Sequence, residues 1–472
     1  MPLSTAMQSI RVKDIPYQAD SAELFNRLRD LPEAIWLDSG KPRSLQGCFD
    51  IISSNPDSLI ETRGAESTIT DASGVRTSTQ DPFELAKQLL APMLQISDPL
   101  DAPFVGGLLG YFGYDLGRQL IDIESIAASA VDLPDMRLGR YLWSLIVNHD
   151  ARQTQLHFHP LCPATLEEEI CARLAATNDQ SSETEQRENF HLGANFRPTL
   201  SREAYNQSIA RVKDYIASGD CYQTNFTQHL SAPYSGDLWQ AYLALREAAP
   251  SPYSVFWQWK DRSVLSISPE RFLKTAVDTS DTRVRVETKP IKGTLLRGTT
   301  VEEDQENAIK LLNSSKDRAE NLMIVDLLRN DLGKCCEAGS IRVPKLFNLE
   351  SFPNVHHLVS TVTGVLRQDS SNLDLLRACF PGGSITGAPK KRAMEIIEEL
   401  EPVRRSLYCG SLGYISASNR MDTNIAIRTL VADESYLHCW GGGGIVADSE
   451  ASAEYEESLN KVRALLAALE AL

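Results

Sequence analysis

A lysine placed directly before a glycine, Lys292, is the residue with the most demanding potential chemistry. It follows a run in which Val284, Val286 and Thr288 alternate with charged residues up to Pro290, a pattern typical of a strand that ends in a turn. A lysine with its usual pKa near 10.4 is neutral in only about 0.04% of molecules at pH 7, so a nucleophilic role requires neighbours that lower this pKa. Taken alone, a Lys-Gly pair is more typical of a surface turn.

A second candidate is Glu270, which lies in the segment SPER (268–271) at the end of a strand-like run. A carboxyl group held behind a proline at a cleft can act as a general acid, provided that it stays protonated near neutrality. Burial and neighbouring carboxylates are the usual means of raising a glutamate pKa to that range. Without such support, Glu270 would be an ordinary solvated glutamate.

Two pairs of acidic residues have helical spacing. Asp317 and Glu320 lie three residues apart in one predicted helix, and Glu454 and Glu457 repeat this spacing in the last one. Each pair therefore lies on one helix face. Such carboxylates supply the hard oxygen ligands that Mg²⁺ prefers, with coordination positions left for water or an anionic substrate. The same spacing is also common on solvated helices.

Glycine-rich and histidine segments complete the candidate chemistry. The run 441–444 is four consecutive glycines, which predicts either an anion site built from backbone amides or a tight turn from a strand into the last helix. The segment PGGSITGAPK (381–390) predicts a second turn that opens a helix, with the Thr386 hydroxyl beside free amides. His357, in HHLVS (356–360), lacks the spacing of a zinc helix, so a packed or hydrogen-bonding role is expected first.

The elements that must position these residues follow from hydrophobic periodicity. Helical spacing predicts helices over 82–90, 165–176, 202–218 and 390–400, and a mostly helical segment over 303–332. Strands are predicted over 141–147 and 154–158, with a hairpin formed by 254–259 and 263–268. The polar segment 177–189 (TNDQSSETEQREN) predicts an exposed connector, which divides the chain into regions 1–190 and 191–472.

Charge and cysteine usage restrict the partners. The 472 residues carry a formal net charge of −16, which disfavours binding to nucleic acid or to an anionic membrane surface. The nine cysteines are scattered without a C-x-x-C pair, so neither a disulfide framework nor a zinc site is predicted. The N-terminal residues lack the pattern of a signal peptide, and no stretch is apolar enough for a membrane span. We therefore expect a cytoplasmic protein that binds neither nucleic acid nor membrane.

Taken together, the motifs resemble those of the chorismate-utilising enzymes. The resemblance covers about residues 200–470 and rests on SPER (268–271), PIKGT (290–294), KDRAENLMIVDLLRNDLG (316–333), HHLVS, PGGSITGAPK, GYIS (413–416), AIRT (426–429) and GGGIVADS (442–449). It implies an α+β fold with a β-sandwich-like core of antiparallel sheets flanked by helices. Region 191–472 would be the catalytic, chorismate-binding domain. Region 1–190 resembles the amino-terminal part of these enzymes through WLDSG (36–40) and GYFGYDLG (110–117), and would pack with the rest of the core.

The resemblance also implies roles for individual residues. Lys292, Glu270 and His357 would be catalytic. Glu320 and Glu457 would coordinate Mg²⁺, which Asp317 and Glu454 would support through water. Substrate would be bound by Gly293, Thr294, Thr386, Tyr414, Arg428, Gly442, Gly443, Gly444 and Lys461.

Two positions discriminate between branches of the family. The members that form anthranilate or isochorismate usually carry alanine where this chain has Lys292, whereas those that form aminodeoxychorismate carry lysine. Isochorismate and salicylate formers place a water-activating lysine at the position of Gln223. The resemblance therefore favours amination of chorismate at C4 through a covalent Lys292 intermediate. Anthranilate formation and an enzymatically idle, effector-binding subunit are the alternatives.

Two partners are implied as well. No cysteine stands in a G-x-C-x-G setting, so the glutaminase nucleophile is absent and a separate glutamine amidotransferase subunit would supply ammonia in a heterodimer. By analogy with related members, a bound tryptophan would lie in the N-terminal region. Its site would comprise Ser39, Gln46, Gly47, Cys48, Phe49, Pro252, Tyr253 and Ser254.

Overall fold

Two large antiparallel β-sheets carry the fold in this computed structural model, which describes residues 8–94, 96–97, 102–176, 188–278, 280–352 and 355–472. The strands are β1 (Gln8–Ser9), β2 (Arg11–Ile15), β3 (Ile35–Asp38), β4 (Phe49–Ser53), β5 (Ser58–Arg63), β6 (Glu66–Asp71), β7 (Gly74–Ser78), β8 (Ile96–Ser97), β9 (Gly107–Phe112), β10 (Met136–Tyr141), β11 (Trp143–Asn148), β12 (Gln153–Phe158), β13 (His191–Leu192), β14 (Arg197–Pro198), β15 (Gln223–Ser235), β16 (Tyr253–Trp259), β17 (Arg262–Ser268), β18 (Arg271–Val277), β19 (Val284–Thr288), β20 (Ile291–Leu296), β21 (Arg342–Ser351), β22 (Val355–Val365), β23 (Gly387–Ala388), β24 (Ser411–Ser416), β25 (Met421–Asn424), β26 (Thr429–Ala432) and β27 (Tyr436–Ile445).

Helices flank the sheets and cover their outer faces. They are α1 (Ala22–Asn26), α2 (Pro82–Leu90), α3 (Gly117–Ile121), α4 (Ala164–Ala175), α5 (Arg202–Ala217), α6 (Leu238–Ala248), α7 (Val301–Leu312), α8 (Ser315–Gly333), α9 (Asn372–Cys379), α10 (Lys390–Leu400) and α11 (Ala451–Glu470). Short 3₁₀ turns occupy Ala91–Met93, Tyr114–Leu116 and Gly383–Ile385.

Each large sheet combines strands from both halves of the chain. The first has the order β20-β22-β19-β18-β25-β24-β9-β10-β5-β6-β7, with β21 also pairing with β22. The second has the order β13-β15-β27-β26-β17-β16-β3-β4-β11-β12-β2, with β14 and β23 also pairing with β15. The ladder between β9 and β24 and the ladder between β3 and β16 join regions 1–190 and 191–472. The sheets are therefore continuous across the predicted boundary. Of the predicted connector, 177–189, residues 177–187 lie outside the described residues.

Aromatic side chains pack the two sheets against each other. The ring centroids of Tyr111 in the first sheet and Trp257 in the second lie 6.0 Å apart in an edge-to-face contact. The Arg137 guanidinium lies 4.8 Å from the ring centroid of Trp259, which adds a cation–π contact across the same interface. The core is thus the sandwich of antiparallel sheets that the resemblance implied, and the α+β fold is confirmed.

The predicted strand 141–147 is in fact a crossing between the sheets. Strand β10 ends at Tyr141 in the first sheet and β11 begins at Trp143 in the second. A continuous apolar run does not distinguish one buried strand from two strands that meet at a corner. The hairpin of β16 and β17, strand β12 and helices α2, α4, α5 and α10 lie where periodicity predicted them, to within two residues.

The long helical segment 303–332 is interrupted. Helix α7 ends at Leu312, and Ser314 caps a new helix by accepting a hydrogen bond from the backbone N–H of Asp317. This break starts α8 immediately before its acidic pair.

The glycine run is part of a strand, so the prediction of a turn at 441–444 was wrong. Residues Gly441–Gly444 lie within β27 and pair with β15. A Cβ on Gly441 would lie 2.2 Å from the carbonyl oxygen of Ser458, because α11 packs directly against the strand there. The glycines therefore permit the close approach of a helix to a sheet.

No helix among the described residues combines the length and the apolar character needed to cross a bilayer. All nine cysteines are free thiols, and most are buried.

Candidate active site

A cavity of about 480 Å³ lies between the edge of the first sheet, strand β27 of the second sheet, and helices α8 and α11. This volume suits a small ligand. Most of the site residues predicted from the sequence converge on it from these separate elements. They are Glu270, Lys292, Gly293, Thr294, Asp317, Glu320, His357, Arg428, Gly442, Gly444, Glu454, Glu457 and Lys461.

A local irregularity in β20 presents Lys292 to the cavity. The register between β20 and β22 shifts between Ile291 and Thr294, as in a β-bulge. Gly293 lies in the middle of this bulge with φ of +83°, a conformation that favours glycine, and a Cβ there would lie 2.9 Å from Cγ of Asp317. The glycine therefore allows the lysine to turn inward and α8 to approach.

The surroundings of Lys292 favour loss of its proton. Burial lowers the pKa of its amine below the usual value, and the positive charge of Lys461 lowers it further, against the opposing effects of Glu320 and Glu270. Lys289, three residues before Lys292 in the sequence, is not the cation responsible, because its amine donates to Oε1 of Glu350 at 2.7 Å. The cation that acts on Lys292 is Lys461.

Glu270 lies at the turn between β17 and β18 and is 6% exposed. Its backbone N–H donates to Oγ of Ser268, and its carbonyl oxygen accepts from the N–H of Ile425. The Ser384 hydroxyl donates to Oε1 of its carboxyl at 2.9 Å. Burial raises the pKa of Glu270 to about 7, although Ser384, Lys292 and Lys461 each act to lower it. A substantial fraction of this carboxyl is therefore protonated near neutral pH.

Helices α8 and α11 bring their acidic pairs to one side of the cavity. Asn321 anchors α8, because its side chain donates to the carbonyl of Leu358 and accepts a 2.5 Å hydrogen bond from Ser360. On α11, Glu454 is buried and accepts from the Ser449 hydroxyl at 2.7 Å. Both glutamates lie against the strand at Gly443, where a Cβ would be in contact, at 3.4 Å, with oxygens of Glu454 and Glu457.

Carboxylates on this side act on one another through their charges, most clearly at Glu320. Burial raises the pKa of Glu320, and the charges of Asp317 and Glu457 add to the effect, while Lys292 and Lys316 oppose it. Burial also acts to raise the pKa of Glu457, but Lys461, whose amine lies 2.8 Å from Oε1, holds it below the usual value. A divalent cation would relieve this repulsion.

The donor set fits magnesium better than a metal that requires a full protein cage. Among the described residues, no three histidine, cysteine, aspartate or glutamate side chains converge closely enough to hold a metal alone. Mg²⁺ commonly binds through one or two carboxylates and keeps water or substrate oxygens in its remaining positions. The acidic side of the cavity is consistent with such a site.

The opposite side of the cavity carries a neutral histidine and an arginine. His357 shares a 2.8 Å hydrogen bond between its Nδ1 and the Thr294 hydroxyl, and burial together with the Arg428 charge lowers its pKa to about 3. The imidazole is therefore neutral at physiological pH. Burial also lowers the pKa of Arg428, and no ion pair joins its guanidinium to any carboxylate in the described chain. An anionic ligand would compensate this buried charge.

Three predicted substrate residues do not line the cavity. Gly443 lies immediately behind its wall in β27. Thr386 is fully buried, and its hydroxyl donates to the carbonyl of Gly382, so it shapes the loop 381–388. Tyr414 lies in the interior with its ring 5.6 Å from that of Phe104.

Several cavity residues were missed in the sequence. Tyr408 lines the wall and stacks on Trp440 with ring centroids 5.9 Å apart, and Ser384 and Asn225 also face the cavity. Gln223 lies two residues before Asn225 in β15, is fully buried, and has no partner for either amide atom among the described residues. The period of two along a strand, applied to Gln223, would have found Asn225. No local pattern marks Tyr408 or Ser384.

The residues predicted to hold tryptophan come together elsewhere, around β3, β4 and the start of β16. The Ser39 backbone N–H and hydroxyl both donate to Oδ1 of Asp50. Gly47, with φ of +87°, lies against Ser39, and Ser254 pairs with Asp38 of β3. Cys48 and Phe49 are exposed beside them. Tryptophan binding there stays a prediction.

Fold and cavity together define a class: an α+β protein in which a buried amine, a carboxyl of raised pKa, an acidic side and an arginine line one small cavity. A protein-family comparison gives the particular family, since the model of the chorismate binding enzymes matches residues 32–467. The chain belongs to this family.

Individual relatives agree with the expected resemblance. The chain is 46% identical over 456 residues to aminodeoxychorismate synthase component 1 of Escherichia coli (strain K12). The aligned region covers 96% of this chain and 97% of the relative. It is 39% identical over 401 residues to anthranilate synthase component 1 of Thermus thermophilus, which covers 84% of each. The crystal structure of anthranilate synthase component I from Streptococcus pneumoniae matches with a TM-score of 0.78 and 30% identity, over 90% of this chain and 93% of that one.

Proposed function

We propose that the protein converts chorismate and ammonia into 4-amino-4-deoxychorismate, as an aminodeoxychorismate synthase component 1. The observation that carries the proposal is the position of Lys292, whose buried amine faces the same cavity as Glu270 and has a lowered pKa. Addition of ammonia to chorismate at C2, as in anthranilate formation, would not need this lysine. Relatives of both kinds resemble the chain, but the identity reaches 46% for two of those named aminodeoxychorismate synthase component 1, against 39% for the anthranilate synthase component 1 of Thermus thermophilus.

In the first step, the neutral amine of Lys292 attacks ring carbon C2. The two ring double bonds shift, and the C4 hydroxyl leaves. Because hydroxide is a poor leaving group, Glu270 transfers its proton to this oxygen and water departs. The elevated pKa of Glu270 supports this role, since the carboxyl retains its proton near neutrality.

In the second step, ammonia forms a bond to C4. The double bonds shift back, and the C2–nitrogen bond to Lys292 breaks. The lysine leaves as a neutral amine, and the nitrogen that came from ammonia passes one proton back to the Glu270 carboxylate, so both groups are restored and the net reaction exchanges hydroxyl for amino at one carbon. Covalent capture by the lysine thus divides one difficult substitution into two easier ones.

Substrate orientation follows from the charges around the cavity. Chorismate is a dianion, and Arg428, Lys461 and backbone amides of Gly442–Gly444 would meet one carboxylate, with Gly293 and Thr294 nearby. Tyr408 faces the cavity and would contact the substrate there, whereas the ring of Tyr414 packs against Phe104. Neutral His357 donates or accepts hydrogen bonds rather than carrying charge.

A magnesium ion would be held by Glu320 and Glu457, with Asp317 and Glu454 reached through water. When bound, it supplies the positive charge that neutralises the ring carboxylate. The burial of Glu320, which raises the pKa of its carboxyl, and the nearby charges of Asp317 and Glu457, which add to the effect, support this assignment.

We also propose that a separate glutamine amidotransferase subunit supplies the ammonia. The absence of a glutaminase cysteine setting in the sequence and the component 1 name of the relatives support this. The nine free cysteines suit the reducing environment of the cytoplasm, where we place the enzyme.

Product identification tests the proposal. The purified protein is incubated with chorismate, MgCl₂ and ammonium, and the products are separated and identified by mass spectrometry. We expect 4-amino-4-deoxychorismate without release of pyruvate. Formation of anthranilate and pyruvate would establish the C2 alternative instead. With intact folding, no consumption of chorismate would establish the idle-subunit hypothesis.

A further inference from the structure

The turn Gly383–Ile385 reaches the proposed general acid from a distant part of the chain. Ser384 lies 114 residues after Glu270, and its hydroxyl donates to Oε1 of that carboxyl at 2.9 Å. The turn is fixed from behind by α8, because a Cβ on Gly383 would lie 3.3 Å from side-chain atoms of Leu327. The hydroxyl is therefore presented by a constrained backbone.

The backbone of Glu270 is itself held on both sides. Its N–H donates to the Ser268 hydroxyl at 3.2 Å, and that hydroxyl in turn donates to the carbonyl of Ile425 at 2.6 Å. Its carbonyl accepts from the Ile425 N–H at 3.0 Å. Only the carboxyl orientation is left to be fixed, and in the described chain Ser384 is its one hydrogen-bond partner. The terminal torsion of a glutamate is otherwise broad.

We propose that Ser384 is a positioning residue that selects which oxygen of Glu270 carries the catalytic proton. A hydroxyl that donates to Oε1 favours Oε1 as the carbonyl oxygen of the protonated acid, so the proton resides on Oε2. This inference rests on the proposed function, in which Glu270 delivers that proton to the departing C4 hydroxyl. Without Ser384, the carboxyl would rotate and the proton would be shared between two oxygens.

The same hydrogen bond stabilises the ionised carboxylate. The other titratable groups that act on Glu270 are the amines of Lys292 from β20 and Lys461 from α11, and the thiol of Cys409 lies near it. Loss of the serine hydroxyl removes one stabilising donor and leaves these groups in place. The pKa of Glu270 then rises, so the acid keeps its proton to higher pH.

The test compares chorismate consumption by wild type, Ser384→Ala, Ser384→Cys and Ser384→Thr, at saturating ammonium and MgCl₂ over a range of pH. For Ser384→Ala we expect kcat to fall about tenfold with KM within about twofold, and the alkaline limb of the pH profile to move up by about one unit, the size expected for one hydrogen bond to a charged group. Ser384→Cys places a weak donor of similar size at this position, so its kcat should also fall and its alkaline limb should also move up. Ser384→Thr keeps the hydroxyl and restores both rate and limb.

A double mutant separates action through Glu270 from a general packing effect. Adding Ser384→Ala to Glu270→Gln should cause no further loss of rate, because the acid on which the serine acts is already gone. An additive loss, or unshifted limbs in both Ser384→Ala and Ser384→Cys, would overturn the inference. The proposed function is tested separately by the product. If wild type releases anthranilate, the proposed function is wrong. The C4 hydroxyl is lost in that reaction too, so the effect of Ser384 on the pH limb is measured in either case.

Discussion

The Nζ atom of Lys292 lies 3.8 Å from Oε2 of Glu320, so the proposed nucleophile is adjacent to a proposed metal ligand. The amine and the carboxylate come from different elements, β20 and α8, which meet because Gly293 has no side chain. The nucleophile, the acid and the metal side therefore share one cavity, and each can be tested by a substitution with a matched control.

Replacement of Lys292 tests covalent catalysis. Lys292→Ala should lower formation of 4-amino-4-deoxychorismate at least about a hundredfold, and Lys292→Arg should not restore it, because a guanidinium stays protonated. Rapid quenching followed by mass spectrometry should detect a lysine adduct in wild type only. Lys289→Ala is the control, since that amine is paired with Glu350 outside the reaction path. Unchanged product formation by Lys292→Ala would contradict the covalent step.

The pH profile tests the charge state of both groups. Activity should rise with pH as Lys292 loses its proton and fall as Glu270, with a pKa of about 7, loses its own. The positive charge of Lys461 lowers both pKa values, so Lys461→Gln should move both limbs to higher pH by about half a unit. Lys316→Gln is the control, because its charge acts on Glu320 and Glu457. If both limbs of the pH profile stay in place in Lys461→Gln, the assignment of these limbs to Lys292 and Glu270 is refuted.

Removal of metal ligands tests the acidic side. Chelation by EDTA should abolish turnover, and added MgCl₂ should restore it. Glu457→Gln should raise the MgCl₂ concentration for half-maximal activity by more than about tenfold, since even outer ligands contribute that much. It should also remove the increase in melting temperature that MgCl₂ gives to wild type. Glu456→Gln, whose carboxylate pairs with Arg202, should behave as wild type.

Gly444→Ala tests the space beside the nucleophile. A Cβ at this position would lie 2.8 Å from Nε2 of Gln223 and 3.2 Å from Nζ of Lys292. The lysine must then move, and we expect adduct formation to slow at least about tenfold, with the melting temperature little changed. Gly333→Ala, where the nearest atom is 3.9 Å away, is the control. Normal adduct formation in Gly444→Ala would show that the amine reacts from another position.

A buried ion pair behind the cavity tests stability. Arg405 donates to both oxygens of Glu401 and to the carbonyls of Ile385 and Asn225, so it ties the loop 381–388 to β15. Glu401→Ala leaves the buried guanidinium uncompensated and should lower the free energy of unfolding by about 3–5 kcal/mol in urea titrations. Glu399→Ala, at an exposed position, should change it by less than about 0.5 kcal/mol. Equal losses of unfolding free energy in Glu401→Ala and Glu399→Ala would contradict a stabilising role for the pair of Glu401 and Arg405.

Sequence predicted the features that depend on local patterns. Helices α5 and α10 follow from apolar spacing, and the acidic pairs of α8 and α11 follow from the period of the helix. The resemblance to chorismate-utilising enzymes then placed Lys292 and Glu270 in one site, although neither residue is distinctive alone.

The features that sequence missed depend on contacts between distant segments. Ser384 approaches Glu270 only because α8 fixes its turn, and Tyr408 faces the cavity because Trp440 stacks on it. For the glycine run, the sequence left a turn and an anion site open and did not predict a strand, since the requirement for glycine comes from α11 at Gly441 and from β15 at Gly442 and Gly444. The choice of Lys461 over Lys289 as the activating cation likewise needs the positions of both amines.

The ladders of β9 with β24 and of β3 with β16 bear on how such an enzyme can evolve. If either half of the chain were produced alone, each of the two sheets would be left with an exposed edge strand whose amide and carbonyl groups have no partners. Such edges promote aggregation. Region 191–472 is consequently not an independent unit that gene fusion could transfer to another protein. We expect the site to be inherited only together with the whole polypeptide.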